Sequence, residues 1–326
     1  MEGKRRQGFN IFMRKLNYSF IIFNLIALVF VKFFITNEYY LSLVIFILFN
    51  SINASCLNIL LGYAGIISIG QAAFFGLGAY ISAILTTTYG MNPYGTILIG
   101  VILVGIIAFI VGYPTLKLHG HYLAMATLGF GMILYICFNE MDYLTGGPSG
   151  FSGIPNLVLF GNEIDSEEKF FIFLSIIYFI FIILLEMFDK SFLSYKLKFI
   201  HESENASSSY GIDVAKVKLA TFVIIACITS VNGSLFAFYA NFISPVSFSF
   251  NYSIEILIMS VFGGLGSITG GGIGALILTL IPEFFADFED YEMVIYGCIL
   301  AVSILFLKGG IAKFIKSIME KYVKTA

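Results

Sequence analysis

The residues of this sequence that could do chemistry are polar side chains set inside long apolar stretches. Asn50, Asn53 and Asn58 all fall within one such stretch. Asn50 and Asn53 are three residues apart, so in a helix they share one face, and polar groups of a helix in an apolar surrounding turn toward the protein interior. Their amides could line a polar route or could hydrogen-bond to a neighbouring helix; the spacing agrees with both.

Glu255 is the only carboxylate placed well inside an apolar run, between Ile254 and Ile256. An ionised group at the centre of a lipid bilayer costs at least about 2.5–3.5 kcal/mol on insertion scales, so its retention needs a reason. The residue lies near the start of its apolar stretch, where this cost is smaller. It could pair across a subunit interface, gate the mouth of a pathway, or lie at the level of the lipid headgroups.

Two regions interrupt the apolar pattern with glycine, one in each half of the chain, at 62–79 and 263–275. Backbone breaks inside a bilayer persist only where protein or a water-filled cavity satisfies the freed polar groups. Paired breaks in the two halves of a chain indicate a translocation site; close helix packing through small residues is the alternative. The candidate residues are Gly65, Ser68, Gln71, Gly263, Gly264 and Gly266.

The spacing of the reactive side chains does not indicate enzymatic or metal chemistry. His119 and His121 flank Gly120 without a third ligand nearby, which makes a poor metal site. The four cysteines lie in apolar runs without metal-ligand spacing. No phosphate-binding G-x-x-x-x-G-K-[ST] loop, H-E-x-x-H motif or nucleophile elbow is present. We therefore predict a chain that is not an enzyme, uses no cofactor or metal, and hydrolyses no ATP itself.

The composition indicates which elements position these residues. Of the 326 residues, 59% are apolar and 12% are charged; soluble domains carry roughly 25% charged residues. This balance excludes a water-soluble enzyme and a disordered chain. It predicts an all-α, polytopic membrane protein with a single transmembrane domain over residues 1–326 and about ten crossings of the lipid bilayer. Apolar stretches lie near 18–35, 40–61, 65–88, 94–113, 122–138, 170–188, 219–243, 254–282 and 293–307.

The basic residues predict the sidedness of these crossings. Sixteen of the 18 lysines and arginines fall in residues 1–17, at Lys117, in the 189–218 loop or in the 308–326 tail, all of which the scheme places in the cytoplasm. With both termini cytoplasmic, the 254–282 stretch must cross twice, and its glycines supply the break. The first apolar run is too long for a signal-peptide core, so we predict a retained span.

The 189–218 loop is the longest predicted cytoplasmic connection. It carries charged residues at its start and small residues after them, and Gly211 stands where a glycine commonly ends a helix. A short helix with small side chains could dock into a groove of another protein. It could also be an amphipathic connector.

Four stretches of this chain resemble the permease subunits of branched-chain amino acid ABC importers, particularly those of the LivM type. Their order and spacing match as well, so the resemblance extends from about residue 40 to 310. Urea importers share much of the pattern, which makes it less specific for the solute. The stretches are 61–80 (LGYAGIISIGQAAFFGLGAY), 118–129 (LHGHYLAMATLG), 144–155 (LTGGPSGFSGIP), and 242–250 (FISPVSFSF) with 253–257 (SIEIL) and 263–267 (GGLGS).

The resemblance implies a multi-pass permease of the bacterial inner membrane. It also implies four further partners: a second, LivH-like permease, two cytoplasmic ABC ATPases and an extracytoplasmic solute-binding protein; no nucleic acid is implied. The expected function is import of leucine, isoleucine and valine by alternating access. The alternatives are a permease for urea or another small polar solute, an ion-coupled secondary transporter using Glu255, and a passive channel.

The resemblance further implies that residues 199–213 form the helix that couples the permease to its ATPases. The family usually has an Arg-Glu-Asp-Glu run followed by alanines there, whereas this chain has His-Glu-Ser-Glu over 201–204 and serines over 207–209. The predicted coupling residues are His201, Glu202, Glu204, Ala206, Ser209 and Gly211. The predicted pathway residues are Asn50, Asn53, Asn58, Gly65, Ser68, Gln71, Thr127, Glu255, Gly263, Gly264 and Gly266.

Overall fold

The computed structural model describes residues 18–284, apart from 36, 160 and 161, together with residues 294, 297, 298, 301 and 309–313. The basic start and most of the 293–307 stretch, of the acidic 283–292 loop and of the 308–326 tail therefore lie outside the described residues. Within the described chain, helices account for nearly all regular structure, as the composition predicts. The protein is a polytopic helical membrane protein.

The helices follow the apolar stretches closely. In the described part of the chain the helices are α1 (Tyr18–Phe34), α2 (Glu38–Asn58), α3 (Gln71–Thr87), α4 (Pro93–Thr115), α5 (His121–Glu140), α6 (Asp142–Thr145), α7 (Glu167–Asp189), α8 (Phe192–Glu202), α9 (Glu204–Ser209), α10 (Val214–Ala240), α11 (Phe250–Gly263) and α12 (Ile268–Phe284). Five of these are long and apolar enough to cross a membrane: α2 with the turn after it, α4, α5, α7 and α10. Helices α1, α3, α11 and α12 are apolar but shorter.

Short polar side chains start many of these helices. Asn37 accepts a hydrogen bond from the backbone N–H of Tyr39, and Asn92 accepts one from that of Tyr94, both at 3.0 Å. Such N-caps satisfy backbone donors that have no partner inside the helix. Serine or aspartate side chains cap α7, α8, α9 and α10 in the same way. The element boundaries are therefore specified locally by the sequence.

Helices α3 and α10 pack with their backbones in contact. A Cβ atom added to Gly78 would lie 2.1 Å from the carbonyl oxygen of Ser230, and one on Gly233 would lie 1.9 Å from that of Phe75. A hydroxyl hydrogen bond of 2.8 Å from Ser82 to Ser234 joins the same two helices. Small residues thus allow the close approach typical of membrane helices.

The largest core cluster lies between α2, α3, α7 and α10 and is rich in aromatic rings. Phe75 packs against Phe236, Phe248 and Tyr252 with ring centroids 5.3–5.6 Å apart. Helix α12 lies against α2, where a Cβ atom on Gly271 would lie 2.6 Å from the backbone of Ser55. Glycines therefore allow close backbone contacts between some helices, and aromatic rings fill the space between others.

Among the described residues, strands occur in the segments that follow α6 and α10 and nowhere else. β1 (Phe151–Ser152) pairs antiparallel with β4 (Phe242–Ile243), so that Phe151 lies opposite Ile243. β2 (Val158–Leu159) pairs antiparallel with β3 (Asn162–Glu163). Asn241, with a φ of 54°, ends α10 and donates a 2.9 Å hydrogen bond to the carbonyl oxygen of Ile154. These contacts tie the loop after α6 to the loop after α10.

Candidate functional site

Two interruptions of helical structure lie inside the bundle, at the two glycine-containing regions. After α2 the chain forms one π-helical turn, Ile59–Tyr63, and then runs without helix over residues 64–70 before α3 begins. Residues 264–267 separate α11 from α12. Gly65, Gly264 and Gly266 have φ values of 66°, 123° and 71°, a region that residues with side chains rarely adopt. The predicted breaks are present in both halves of the chain.

The two breaks touch each other. A Cβ atom on Gly62 would lie 2.2 Å from the backbone nitrogen of Gly266, and one on Gly266 would lie 3.2 Å from the carbonyl oxygen of Gly62. The backbones therefore meet without intervening side chains. We call the meeting point, formed by Asn58, Gly62, Gly264, Gly266 and Ser267, the helix-break junction.

Asn58 holds the helix-break junction together. Its Nδ2 donates to the carbonyl oxygens of Gly264 (2.9 Å) and Ser267 (3.2 Å), and its Oδ1 accepts from the backbone N–H of Gly266 (2.8 Å). The side chain is buried. One asparagine thus satisfies three backbone groups freed by the second break, as irregular backbone inside a membrane protein requires. A cavity about the size of one water molecule adjoins it, lined in part by Ser55 and Tyr63.

Helix α8 contacts the helix-break junction directly. Nδ1 of His201 lies 3.1 Å from the carbonyl oxygen of Gly62 and must carry the proton, since a carbonyl only accepts. The same ring lies over Gly65, where an added Cβ atom would be 3.1 Å from Cδ2. The predicted coupling residue His201 and the predicted break residue Gly65 are therefore neighbours.

A second contact joins α8 to the π-helical turn. Nζ of Lys198 lies 2.9 Å from Oδ1 of Asp189, the last residue of α7, and 4.6 Å from the ring centroid of Tyr63. The hydroxyl of Tyr63 donates a 3.0 Å hydrogen bond to the same carboxylate oxygen. Cation, ring and carboxylate therefore connect α7, α8 and the π-helical turn.

Glu204 attaches α9 to the rest of the protein. Its carboxylate pairs with the buried Nζ of Lys218 near the start of α10 and lies 3.5 Å from Nε2 of His119 in the loop between α4 and α5. Partial burial opposes ionisation of Glu204, but its hydrogen bond and charge interaction with Lys218, together with those of His119, outweigh this and lower its pKa. The carboxylate is therefore held ionised at neutral pH.

Gly211 ends α9 as predicted, but residues 199–213 form the end of one helix and a second short helix. The extended backbone of Ser203, whose side chain caps α9, separates α8 from α9. Gly211 has a φ of 80°, and the N–H of Ile212 donates to the carbonyl oxygen of Ser207 at 3.1 Å. With the bond from the Gly211 N–H to Ser208, this is a Schellman ending. Glu202, Ser209 and Gly211 are exposed, and Ala206 is half-buried.

Asn50 and Asn53 take part in a hydrogen-bond chain that joins four helices. Tyr252 on α11 donates to Oδ1 of Asn50 (3.0 Å) and accepts from Nδ2 of Asn53 (2.9 Å). Asn232 on α10 donates to Oδ1 of Asn53, and Asn50 donates to Thr279 on α12. The shared face expected from the spacing is present. Of the two roles that the sequence allows for these asparagines, a polar route or hydrogen bonding to neighbouring helices, the contacts are those of the second.

The remaining predicted pathway residues of the first half lie in or beside the non-helical segment 64–70. Thr127 on α5 accepts a 3.0 Å hydrogen bond from the backbone N–H of Ile69, and Gln71 donates through Nε2 to Thr229. Ser68 Oγ and Gln71 Oε1 are buried without a hydrogen-bond partner in the described chain. An unpaired buried polar atom costs about 1–3 kcal/mol, so these atoms require an explanation.

Two predicted residues of the second half lie in the α11 region. Glu255 is half-buried in the second turn of α11. Gly263 is buried at the end of α11, where an added Cβ atom would lie 1.8 Å from the carbonyl oxygen of Gly270. This contact is the close packing given as the alternative to a pathway role. Among the described residues, no group of three metal-binding side chains comes together.

Several residues that take part in these contacts are not among the predicted site residues. Lys218 and Asn232 are polar residues at the start of and inside an apolar stretch, the same signal that identified Asn50 and Asn53. His119, which with His121 makes a poor metal site in the sequence, has an exposed ring that faces Glu204. Tyr252 and Thr279 carry no distinguishing spacing.

Comparison with known proteins places this geometry in context. A family described as "Branched-chain amino acid transport system / permease component" matches residues 39–304. The high-affinity branched-chain amino acid transport system permease protein LivM of Escherichia coli K12 is 31% identical over 278 residues, covering 78% of this chain and 65% of that relative. LivM of Salmonella typhimurium gives the same values. The match thus spans slightly less than two thirds of the length of these relatives.

A more distant relative comes from an archaeon. The probable branched-chain amino acid transport permease protein LivH of Methanocaldococcus jannaschii is 25% identical over 271 residues, covering 75% of this chain and 80% of that protein. No solved structure matches the chain. The family match covers both helix breaks and the whole α8–α9 region, and the chain belongs to the family of branched-chain amino acid transport system permease components.

Proposed function

We propose that this chain is the permease subunit of an ATP-binding-cassette importer that carries branched-chain amino acids across the bacterial inner membrane. It works with a second, LivH-like permease, two cytoplasmic ATPases and an extracytoplasmic solute-binding protein. The chain itself catalyses no reaction. Its similarity to the LivM proteins of two bacteria supports the solute class and the importer type.

The observation that carries this proposal is the contact of His201 with Gly62. It joins the α8–α9 region, on which an ATPase docks in the proposed mechanism, to the point where both helix breaks meet. A permease driven by a partner needs such a mechanical connection, because it has no chemistry of its own. It needs only two packings of different stability that the partner selects between.

In this mechanism ATP-driven closure of the ATPases displaces α8 and α9. The displacement reaches the helix-break junction through His201 and through the contact of Lys198 with Asp189 and Tyr63. Helices that are already interrupted can rotate about the break without losing hydrogen bonds of a continuous helix. The mechanism places α8, α9 and both chain termini in the cytoplasm.

Uptake by the complete complex in proteoliposomes tests the proposal. Labelled leucine is compared with labelled urea, with and without ATP, the solute-binding protein or an imposed ion gradient. Leucine uptake that requires ATP and the binding protein is the expected result. Uptake of urea alone would reassign the solute. Leucine uptake driven by an ion gradient without ATPases, and lost in Glu255→Gln, would establish a secondary transporter.

A further inference from the structure

The non-helical segment and α11 run side by side in opposite directions. At one end Gly62 meets Gly266. At the other end Ser253 Oγ accepts a 3.2 Å hydrogen bond from the backbone N–H of Ala72. The stretch between these two contacts includes residues 64–70 on one side and most of α11 on the other. We call this boundary the 64–72/α11 seam.

The 64–72/α11 seam is lined by one face of α11. Ser253, Ile256 and Ser260 are spaced by three and four residues, so they lie on one helical stripe, and all three are buried. Ser260 is seven residues, or about two turns, after Ser253, so it lies on the same face of α11, between the two end contacts of the seam. In that segment Ala64, Ile66, Ser68 and Gly70 are buried, alternating with half-buried residues as in extended backbone.

Three buried polar atoms along the 64–72/α11 seam have no hydrogen-bond partner in the described chain: Ser68 Oγ, Gln71 Oε1 and Ser260 Oγ. Ser68 and Gln71 are 1% exposed and Ser260 is 0% exposed, so solvent does not satisfy them. Native proteins pair almost all such groups. Three unpaired groups along one boundary indicate that they find partners in another conformation.

From this we infer that the 64–72/α11 seam parts during transport and that Ser68, Gln71 and Ser260 bind the charged head of the amino acid there. The inference rests on the proposed function. The two hydroxyls can donate to a carboxylate, and the amide oxygen of Gln71 can accept from an ammonium group. Ile66 and Ile256, both 0% exposed, supply apolar surface of the kind that a branched side chain contacts. The structure described here is the closed state of the seam.

Thiol accessibility tests whether the seam parts. Ser68→Cys and Ser260→Cys are nearly isosteric changes, introduced separately into the complete complex in proteoliposomes. A small, membrane-impermeant thiol reagent is applied with and without ATP and binding protein. Peptide mass mapping separates the introduced thiol from Cys56, Cys137, Cys227 and Cys298. The matched control is Ser230→Cys, whose Oγ is also buried and unpaired but lies beside Gly100 of α4.

The expected result is that both seam cysteines are modified at least about tenfold faster with ATP and binding protein than without them. A population shift of about 1.4 kcal/mol gives this ratio. Leucine slows the reaction, urea does not, and Ser230→Cys stays unreactive. Leucine transport with unreactive seam cysteines would overturn the inference. So would equal acceleration at Ser230→Cys, because general loosening would then explain both.

Alanine variants provide a second measurement that separates binding from structure. Removing an unpaired hydroxyl leaves no partner stranded, so Ser260→Ala and Ser68→Ala should retain the unfolding midpoint of the parent complex. If the hydroxyls bind the amino acid, the same variants raise the KM for leucine uptake. An unchanged KM would overturn the binding role. The two proposals can fail separately. If the complex does not carry leucine, but the seam cysteines react during ATP hydrolysis and a different carried solute slows that reaction, then leucine is the wrong solute and the opening of the seam is still supported.

Discussion

Nδ1 of His201 donates a 3.1 Å hydrogen bond to the carbonyl oxygen of Gly62, and the same ring lies over Gly65. His201 belongs to α8, whereas Gly62 belongs to the π-helical turn that begins the first break. Gly62 also touches Gly266 in the second break. One side chain therefore connects the region that docks the ATPase, in the proposed mechanism, with both interruptions of the membrane helices.

Replacing His201 should uncouple transport from ATP hydrolysis. His201→Ala removes the hydrogen bond to Gly62 and the ring over Gly65, while the exposed surfaces of α8 and α9 remain. We expect leucine uptake to fall strongly and ATP hydrolysis by the complex to continue. The matched control is Glu202→Ala, the exposed next residue. Parallel loss of uptake in both variants would show that the Gly62 contact has no special role.

Asn58→Asp should destabilise the protein although the side chain keeps its shape. The aspartate would still accept from the N–H of Gly266, but it would face the carbonyl oxygens of Gly264 and Ser267 without a donor. Each buried group left unpaired costs about 1–3 kcal/mol. The denaturant midpoint of the purified chain measures the loss. The exposed Asn205→Asp change is the control, and equal midpoints for the two variants would contradict the bridging role.

A single added methyl group at Gly62 should prevent the two breaks from meeting. The Cβ atom of Gly62→Ala would lie 2.2 Å from the backbone nitrogen of Gly266, so one backbone must shift. Overpacking of this kind costs about 1–3 kcal/mol. Gly129→Ala is the matched control, because no described atom lies within 4 Å of its added Cβ. We expect reduced stability and uptake for the first variant and parent-like values for the second.

The sequence predicted the helices and both breaks because these depend on local information. Apolar stretches, asparagine and serine caps and glycine runs all act within a few residues. What it could not predict is which groups meet across the bundle. The contacts between Asn58 and Gly264, or between His201 and Gly62, join residues 139–206 positions apart. A single sequence contains no signal for that pairing.

The choice between a pathway and packing shows the same limit. Asn50, Asn53 and Ser68 cannot be distinguished in the sequence, because each is a polar residue in apolar surroundings. In the structure the two asparagines are joined through Tyr252, whereas Ser68 Oγ has no partner in the described chain. Only the three-dimensional arrangement distinguishes a polar group that has a hydrogen-bond partner from one that has none.

The pair of Glu204 and Lys218 predicts a pH-dependent contribution to stability. The folded-state pKa of Glu204 is below its ordinary value of 4.5, so the ionised carboxylate stabilises the fold above pH 4.5. That contribution is lost as the pH falls through the lowered pKa. We expect Glu204→Gln to have a lower unfolding midpoint than the parent at pH 7, with the difference shrinking below pH 4.5. A difference that is constant with pH would rule out this ion pair as its source.

A second substitution tests whether Lys218 is responsible. Glu204→Gln leaves the Lys218 ammonium buried without its carboxylate partner, which is costly. Lys218→Met removes that charge and retains an apolar stem of similar length. The double variant should therefore be more stable than Glu204→Gln alone at pH 7. If the double variant is no more stable than Glu204→Gln, the loss of the Glu204–His119 contact, and not the unpaired Lys218, causes the destabilisation.

Gly211 should tolerate asparagine but not a β-branched residue. Its φ of 80° is left-handed, and no described atom lies within 4 Å of an added Cβ, so the backbone conformation alone determines the cost. That conformation costs residues with side chains roughly 1–2 kcal/mol, and asparagine less. Gly211→Val should unwind the end of α9 and abolish leucine uptake while the solute-binding protein still binds leucine. Gly211→Asn should transport. Normal uptake by Gly211→Val would refute the assignment of residues 199–213 as the coupling region, because the ending that orients α9 would then be dispensable.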